Sequence, residues 1–466
     1  MFRIRKYDVD YGRRKMMQSV AYGLGSGVLM PLDQAYAKDI NDISKAYPDE
    51  LLSIETQSKG KVKVGDYITK DNVEHVKHLL DPGAYEQITG VEGRKIRIKA
   101  PTLNPRDLDN GDYYEATIAD IKSGHKAKWD ADGNAVDENG KRWQGGLPFV
   151  NPTEAKQVWC NMAMNIGRND AAAYVVEQKD IGVSGKLEYH YNFQWVEVNS
   201  TGRADRKVFK GLENELRRQA VFFAASPDVR GTSFLSVWDY DARKIPELYG
   251  YLPEFRRVRQ FPSNQRFEPL VPGAVWFLSD PWAAGDPFLT WGNHKIEARK
   301  PMLGPWSSEF ATHDANWEPP RQKDNPKFFD IAYEMAPEVI VTSCEPTGYP
   351  RSPVSKRVAY VDARNSIASS NIRYDRQGKL WSNFEMAHGQ LKGGGSDGKR
   401  VIVGRDGKTP QFTWTYVHIY DFQNRRMSLC NHSKGAAGVE ARFQADPEWL
   451  YNTYCTAQAL QSLGRA

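Results

Sequence analysis

The sequence predicts a mainly β fold with helices (α+β): a large curled antiparallel sheet or incomplete barrel with a helical lid. Three patterns point there. Leu187, Tyr189, Tyr191, Phe193 and Trp195 alternate strictly with Glu188, His190, Asn192 and Gln194. Phe412, Trp414, Tyr416, His418, Tyr420 and Phe422 form a second period-two run, so each stretch reads as a strand with one ring-bearing face. Beyond residue 170, strand-like runs follow one another at hairpin spacing, and an extended antiparallel sheet built this way twists and curls.

The first 37 residues have the three-part layout of an export signal. Arg13-Arg14-Lys15 precedes a stretch of low charge from Gln18 to Leu32, and Ala35-Tyr36-Ala37 supplies a small-x-small cleavage site after Ala37. The paired arginines and Gly23, Gly25 and Gly27 favour the twin-arginine route. Gln18, the three glycines and Pro31 interrupt the stretch, which falls short of the roughly 20 apolar residues a spanning helix needs. The expected product is periplasmic and has no transmembrane segment in its mature chain.

Residues 38–142 read as a mixed N-terminal extension packing on the main body. Helical pieces are expected at Asp39 to Leu52 and Lys70 to Leu80, and a basic strand at Arg94 to Lys99. A polar, turn-rich segment follows from Thr102 to Arg142. Its Asp130-Ala131-Asp132-Gly133-Asn134 and Asp137-Glu138-Asn139-Gly140 resemble calcium loops but lack the closing Glu. Asp/Asn-Gly turns account for both, and no metal site is expected.

Residues 143–466 form the predicted β domain with its lid helix at 151–166. Asn151 offers a cap, Pro152 suits the first turn, and Glu154 completes a capping box. Ala155, Val158, Trp159, Met162, Ala163 and Ile166 make one apolar face, with Val158, Trp159 and Met162 at its centre. Further strands are expected at Leu216–Ala224, Thr232–Tyr240, Phe255–Phe261, His294–Lys300, Phe329–Cys344, Ser355–Asp362, Ile367–Tyr374 and Leu380–Met386. The triple glycine Gly393 to Gly395 reads as a loop.

With 26% charged residues and a formal net charge of +5 over 466 residues, the chain is too near neutral to suggest a nucleic-acid partner. Its aromatic content of 12% suits a large apolar surface with polar handles. Cys160, Cys344, Cys430 and Cys455 contain no C-x-x-C pair. A Cys430–Cys455 disulfide, worth about 3 kcal/mol on the chain-entropy model, and four buried thiols both remain open.

Three segments in order resemble a family of exported bacterial proteins labelled outer-membrane lipoprotein-sorting. They are Gly145-Gly146-Leu147-Pro148-Phe149 with the Trp159 helix, then Tyr251-Leu252-Pro253 with Arg256-Arg257-Val258-Arg259. The last is Lys356 to Asp362 with Tyr374-Asp375-Arg376-Gln377-Gly378-Lys379-Leu380-Trp381. The resemblance implies the fold of the lipoprotein carriers LolA and LolB, an open barrel covered by helices. It also implies work beside outer-membrane proteins or resistance-nodulation-division (RND) exporters. Unlike an anchored relative, this chain has no lipid-attachment Cys near Ala37.

The expected function is therefore binding or carriage of a lipid or other hydrophobic small molecule. Ten buried methylenes at about 0.8 kcal/mol each give roughly 8 kcal/mol, near micromolar affinity before costs. The expected apolar lining is Tyr189, Tyr191, Phe193, Trp195, Phe234, Trp238, Trp414 and Tyr416. Arg256, Arg257 and Arg259 are candidates for a ligand headgroup or a partner, with a solvated strand face beside Glu254 and Glu268 as the alternative. No catalytic constellation or cofactor motif stands out, and His313-Asp314 reads as loop polarity. A periplasmic enzyme or cofactor-binding protein, and a ligand-free structural partner of an outer-membrane or efflux assembly, are the alternatives.

Overall fold

The computed structural model describes residues 32–38, 42–281, 285–307, 318–391, 403, 411–433, 435–436, 439–443 and 445–464. Arg13-Arg14, His313-Asp314 and Gly393 to Gly395 lie outside the described residues. The strands in chain order are β1 (Tyr67–Ile68), β2 (Ile96–Ile98), β3 (Lys128–Trp129), β4 (Ala135–Val136), β5 (Ala171–Ile181), β6 (Leu187–Asn199), β7 (Glu215–Phe223), β8 (Ser233–Asp239) and β9 (Glu247–Leu252). They continue with β10 (Arg257–Phe261), β11 (Gly292–Gly304), β12 (Ala332–Glu345), β13 (Val354–Asp362), β14 (Ala368–Asp375), β15 (Leu380–Gln390), β16 (Phe412–Asp421) and β17 (Arg426–Ser433).

One curled, open sheet of 15 strands dominates, running β1-β2-β12-β13-β14-β15-β16-β17-β5-β6-β7-β8-β9-β10, with β11 on β12. Its pairings are antiparallel except one: β2 runs parallel to the start of β12, where Arg97 faces Ala332. That single pairing makes the sheet mixed.

Alternation along the strands separates two faces. On β5, Ala172, Tyr174 and Val176 enter the concave core, while Ala171 and Ala173 join the convex layer. Two C-terminal helices, Pro447–Tyr454 and Ala457–Leu463, cover part of the convex side through Leu450 and Leu460. Residues 54–98 cover another part through Ile68, Val73, Leu79 and Ile96. Short 3-10 turns at Ile43–Lys45, Asp49–Leu51, Val73–His75 and Lys77–Leu79 stand where longer helical pieces were expected.

The segment read as turn-rich holds the longest helix of the described residues, Gly111–Ser123. Asn110 caps it by accepting from the Asp112 N–H, and Gly124 ends it at φ 75°. The Gly145-Gly146 motif docks on this helix: the Gly146 N–H donates to Asp120 at 2.8 Å and the Leu147 N–H to Thr117 Oγ1 at 3.0 Å. A Cβ on Gly146 would lie 2.5 Å from the Thr117 Cα, so glycine is a steric requirement there. The Asp130 and Asp137 carboxylates accept the N–H groups of their own turns.

The helix Leu32–Ala37 also packs here. Tyr36 is buried against the Tyr114 ring, 5.6 Å between centroids, and its hydroxyl donates to the Arg364 carbonyl. Among the described residues no helix is long and apolar enough to cross a membrane.

The expected lid helix is shorter than predicted, spanning Ala155–Met164. Glu154, not Asn151, is its cap, paired reciprocally with Gln157. Val158, Trp159 and Met162 are buried, but they pack toward β11, β12 and the Phe288–Thr290 turn.

Candidate apolar site on the concave face

The concave face encloses a wholly apolar cavity of about 40 Å³. Val176, Phe193, Trp195, Phe384, Met386, Trp414, Val417, Ile419 and Cys430 line it from the sheet, and Trp276 and Pro281 from above. That volume suits little more than a water-sized guest. The rings point inward, and they nearly fill the space.

Of the predicted lining residues, Phe193, Trp195 and Trp414 border the cavity. Tyr189, Tyr191, Phe234 and Trp238 belong to the same core without bordering it. Tyr416 is on the opposite face, against residues 54–98. A β-bulge explains this: the register slips between Ala387 opposite Tyr416 and His388 opposite Trp414. The slip reverses parity, so Val417 and Ile419 turn inward while Tyr416, His418 and Tyr420 turn outward. Strict alternation in the sequence gave no sign of it.

The helix 155–164 covers part of the concave core through Val158, Trp159 and Met162, and over the cavity itself the cover is the irregular segment 262–291 between β10 and β11. Its described residues, 262–281 and 285–291, include the 3-10 turns Ser263–Phe267 and Phe288–Thr290 and an isolated bridge between Pro269 and Phe277. Connecting segments normally run over the surface, and long ones without regular structure are commonly lids or binding loops. This one turns its large apolar side chains inward: Phe267, Val271, Trp276, Phe277, Leu278 and Trp291 all belong to the concave core.

Side chains of the sheet, rather than a strand ladder, hold it down. Gln178 accepts from the Trp276 indole at 3.0 Å, Ser428 accepts from the Val275 N–H at 3.1 Å, and the Tyr191 hydroxyl donates to the Pro272 carbonyl at 2.8 Å. Arg373 donates to the Val275 carbonyl at 3.0 Å and Arg357 to the Ser279 carbonyl at 2.7 Å. Two carboxylates of the cover meet these arginines, Asp280 at 3.0 Å from Arg373 and Asp286 at 3.8 Å from Arg357. Burial pushes the Asp280 carboxyl up from its ordinary value, against the pull of Arg373 and Arg357.

Arg256, Arg257 and Arg259 are exposed at the β9–β10 hairpin and on edge strand β10, away from the cavity lining. Arg259 stacks on Phe255 at 3.9 Å.

Cys430 and Cys455 are not bonded to each other. Cys430 lines the concave cavity and Cys455 lies in the convex layer with Leu450 and Leu460, so the sheet separates them. All four thiols are free and buried. The folded protein should leave a thiol reagent unreacted, and denaturation should release four thiols per chain. Finding two would restore the disulfide.

A family profile described as Protein of unknown function (DUF1329) matches residues 67–461. No curated protein matches the chain. Among solved structures, a DUF1329 protein from Desulfovibrio piger aligns at 12% identity over 66% of this chain and 97% of its own, with a TM-score of 0.41. A domain named for outer-membrane lipoprotein sorting from Vibrio parahaemolyticus aligns at 15% identity over 64% and 94%, with a TM-score of 0.39. A LolA superfamily protein from Nitrosomonas europaea aligns at 13% over 64% and 98%, with a TM-score of 0.35. At such scores nothing about ligand or partner follows from these likenesses.

Proposed function

The chain belongs to the DUF1329 family of proteins of unknown function, and from that footing we propose that it is a periplasmic carrier for a lipid or other hydrophobic molecule. The supporting observation is the pairing of an all-apolar concave cavity with an irregular cover held by side chains. In the closed state Trp276, Phe277 and Leu278 occupy the room a ligand would take. Loading is then an exchange: the cover lifts, its rings leave the concave face, and an acyl chain or similar hydrophobe replaces them. Because one apolar surface substitutes for another, little hydrophobic free energy is lost on opening. Delivery to an RND-type exporter or an outer-membrane protein, and export with removal of the first 37 residues, belong to the same proposal. Cleavage after Ala37 would take Tyr36 out of its packing against Tyr114.

The near-filled cavity favours a second reading, a ligand-free structural partner of an outer-membrane assembly. Native mass spectrometry of protein from a periplasmic extract separates the two. The carrier reading expects a chain lacking residues 1–37 with a hydrophobe retained, released on organic extraction. Repeatedly empty protein that also fails to bind an added fatty acid would leave the structural reading standing.

A further inference from the structure

Two buried arginines on the sheet meet carboxylates of the cover. Arg357 on β13 and Arg373 on β14 are direct cross-strand partners, and both turn toward the concave side, each about 1% exposed. Like charges directly opposite on paired strands repel, so this arrangement calls for anions between or beside them. The ion-pair partners the structure shows for both, Asp286 and Asp280, are supplied by the cover.

Lifting the cover removes both carboxylates, together with the Val275 and Ser279 carbonyls. Arg373 keeps its bond to Ser382 Oγ at 2.6 Å on the sheet, but two adjacent guanidinium groups that have lost both carboxylates favour the entry of an anion. Pro281 lines the cavity and Asp280 adjoins it in sequence, so the charged pair and the apolar room are neighbours. Asp280 is also an incomplete match: its Oδ1 is buried with no hydrogen-bond partner.

Building on the carrier reading, we propose that Arg357 and Arg373 bind the anionic head, phosphate or carboxylate, of an amphiphilic ligand, and that Asp280 stands in for it when the cover is closed; Asp286, bonded to Arg266 of the cover at 2.6 Å, adds a longer contact to Arg357. The ligand's tail takes the place of Trp276 and Phe277. Arg357 rests on the Trp291 ring at 4.0 Å and Arg373 on Phe277 at 4.3 Å and Trp381 at 5.0 Å. Trp381 belongs to β15 and stays when the cover leaves. Guanidinium forks recognise both kinds of head bidentately, so carboxylate and phosphate are the shared chemistry.

The test titrates the full chain with dodecyl phosphate, laurate and dodecanol, followed by tryptophan fluorescence, with inorganic phosphate as a fourth arm. At least one of the two anionic amphiphiles should bind tenfold or more tightly than dodecanol, and the stronger of them identifies the head. Arg373→Gln and Arg357→Gln should each bring that ratio close to one, while Arg373→Lys should keep part of it. Asp280→Asn should raise it several-fold by removing the internal competitor. Equal affinity for all three amphiphiles would overturn the head assignment and leave the carrier standing, with no variant needed. Inorganic phosphate competing as strongly as dodecyl phosphate would overturn the amphiphile. If no amphiphile binds, the carrier reading itself falls, and this proposal with it.

Discussion

Glu385→Ala is expected to destabilise the fold by roughly 3–5 kcal/mol, the usual result of stranding one member of a buried ion pair. Arg94 and Glu385 are each at most 1% exposed and are joined by two bonds, at 2.8 and 2.7 Å. Gln87 accepts from Arg94 at 2.7 Å, the Tyr333 hydroxyl donates to Glu385, and His418 Nδ1 lies 3.4 Å from it. Burial alone would raise the Glu385 carboxyl. Arg94 beside it, with its hydrogen bonds, overrides burial and holds it well below the usual carboxylate range. Its folded value is therefore depressed, so its contribution is complete above pH 4.5 and is lost as the pH falls through the lower folded value.

The pair also joins distant stretches, because Arg94 lies in the N-terminal part and Glu385 on β15. Chemical denaturation of Glu385→Ala should show the loss as a lower midpoint with residues 54–98 detaching early. Replacing both partners with apolar residues, Arg94→Met with Glu385→Leu, should recover most of it, since no charge is left unpaired. A single-variant cost below about 1 kcal/mol would mean that water reaches this pair.

How legible all this was depended on which interaction set each feature. The eleven strands read from the sequence all exist, because period-two patterning and turn residues are local signals that burial of one face reinforces. β5, β9 and β17 were not read, nor were the two-residue strands β1, β3 and β4. β5 is buried on both faces, so Ala171 to Val176 show no alternation. The helix Gly111–Ser123 was lost behind its many polar residues, although Asn110 and Gly124 mark its ends.

For the site, Phe193, Trp195 and Trp414 could be found because they lie on patterned strands. Val417, Ile419 and Tyr416 could not be placed, since a one-residue bulge reverses their faces and no local feature announces it. Trp276 and Pro281 sit in a segment without periodicity, held by side chains from five distant strands. Arg357 and Arg373 lay on two strands read from the sequence, Arg357 also inside a motif noted for resemblance, and only the register shows that they face each other.

The last expected result concerns acid. His388 on β15 is buried, stacked on Phe412 with 6.0 Å between ring centroids, and burial, with Arg168 nearby, lowers its pKa to about 3. An ordinary histidine titrates near 6.5, so between these values the unfolded chain holds a proton that the folded chain does not. Stability contributed by neutral His388 is therefore present above pH 6.5 and is lost progressively toward pH 3, amounting to roughly 3 kcal/mol by pH 4.

The wild-type curve alone will not display this. Burial raises Asp81, Asp109 and Asp180 to about 6, so these groups take up protons first in the folded state and stabilise it as the pH falls from 6 toward 4. They oppose the histidine over nearly the same window. Asp109 also lies 3.9 Å from Arg168, and its protonation leaves Arg168 less compensated beside His388. The informative quantity is the difference between wild type and His388→Gln, measured by denaturation at pH 7 and at pH 4. Glutamine removes the titration while keeping a polar side chain of similar length. The variant should gain about 3 kcal/mol on wild type over that interval, whatever its cost at pH 7. A difference that stays constant with pH would show that His388 is protonated in the folded protein and that its pocket is open to water.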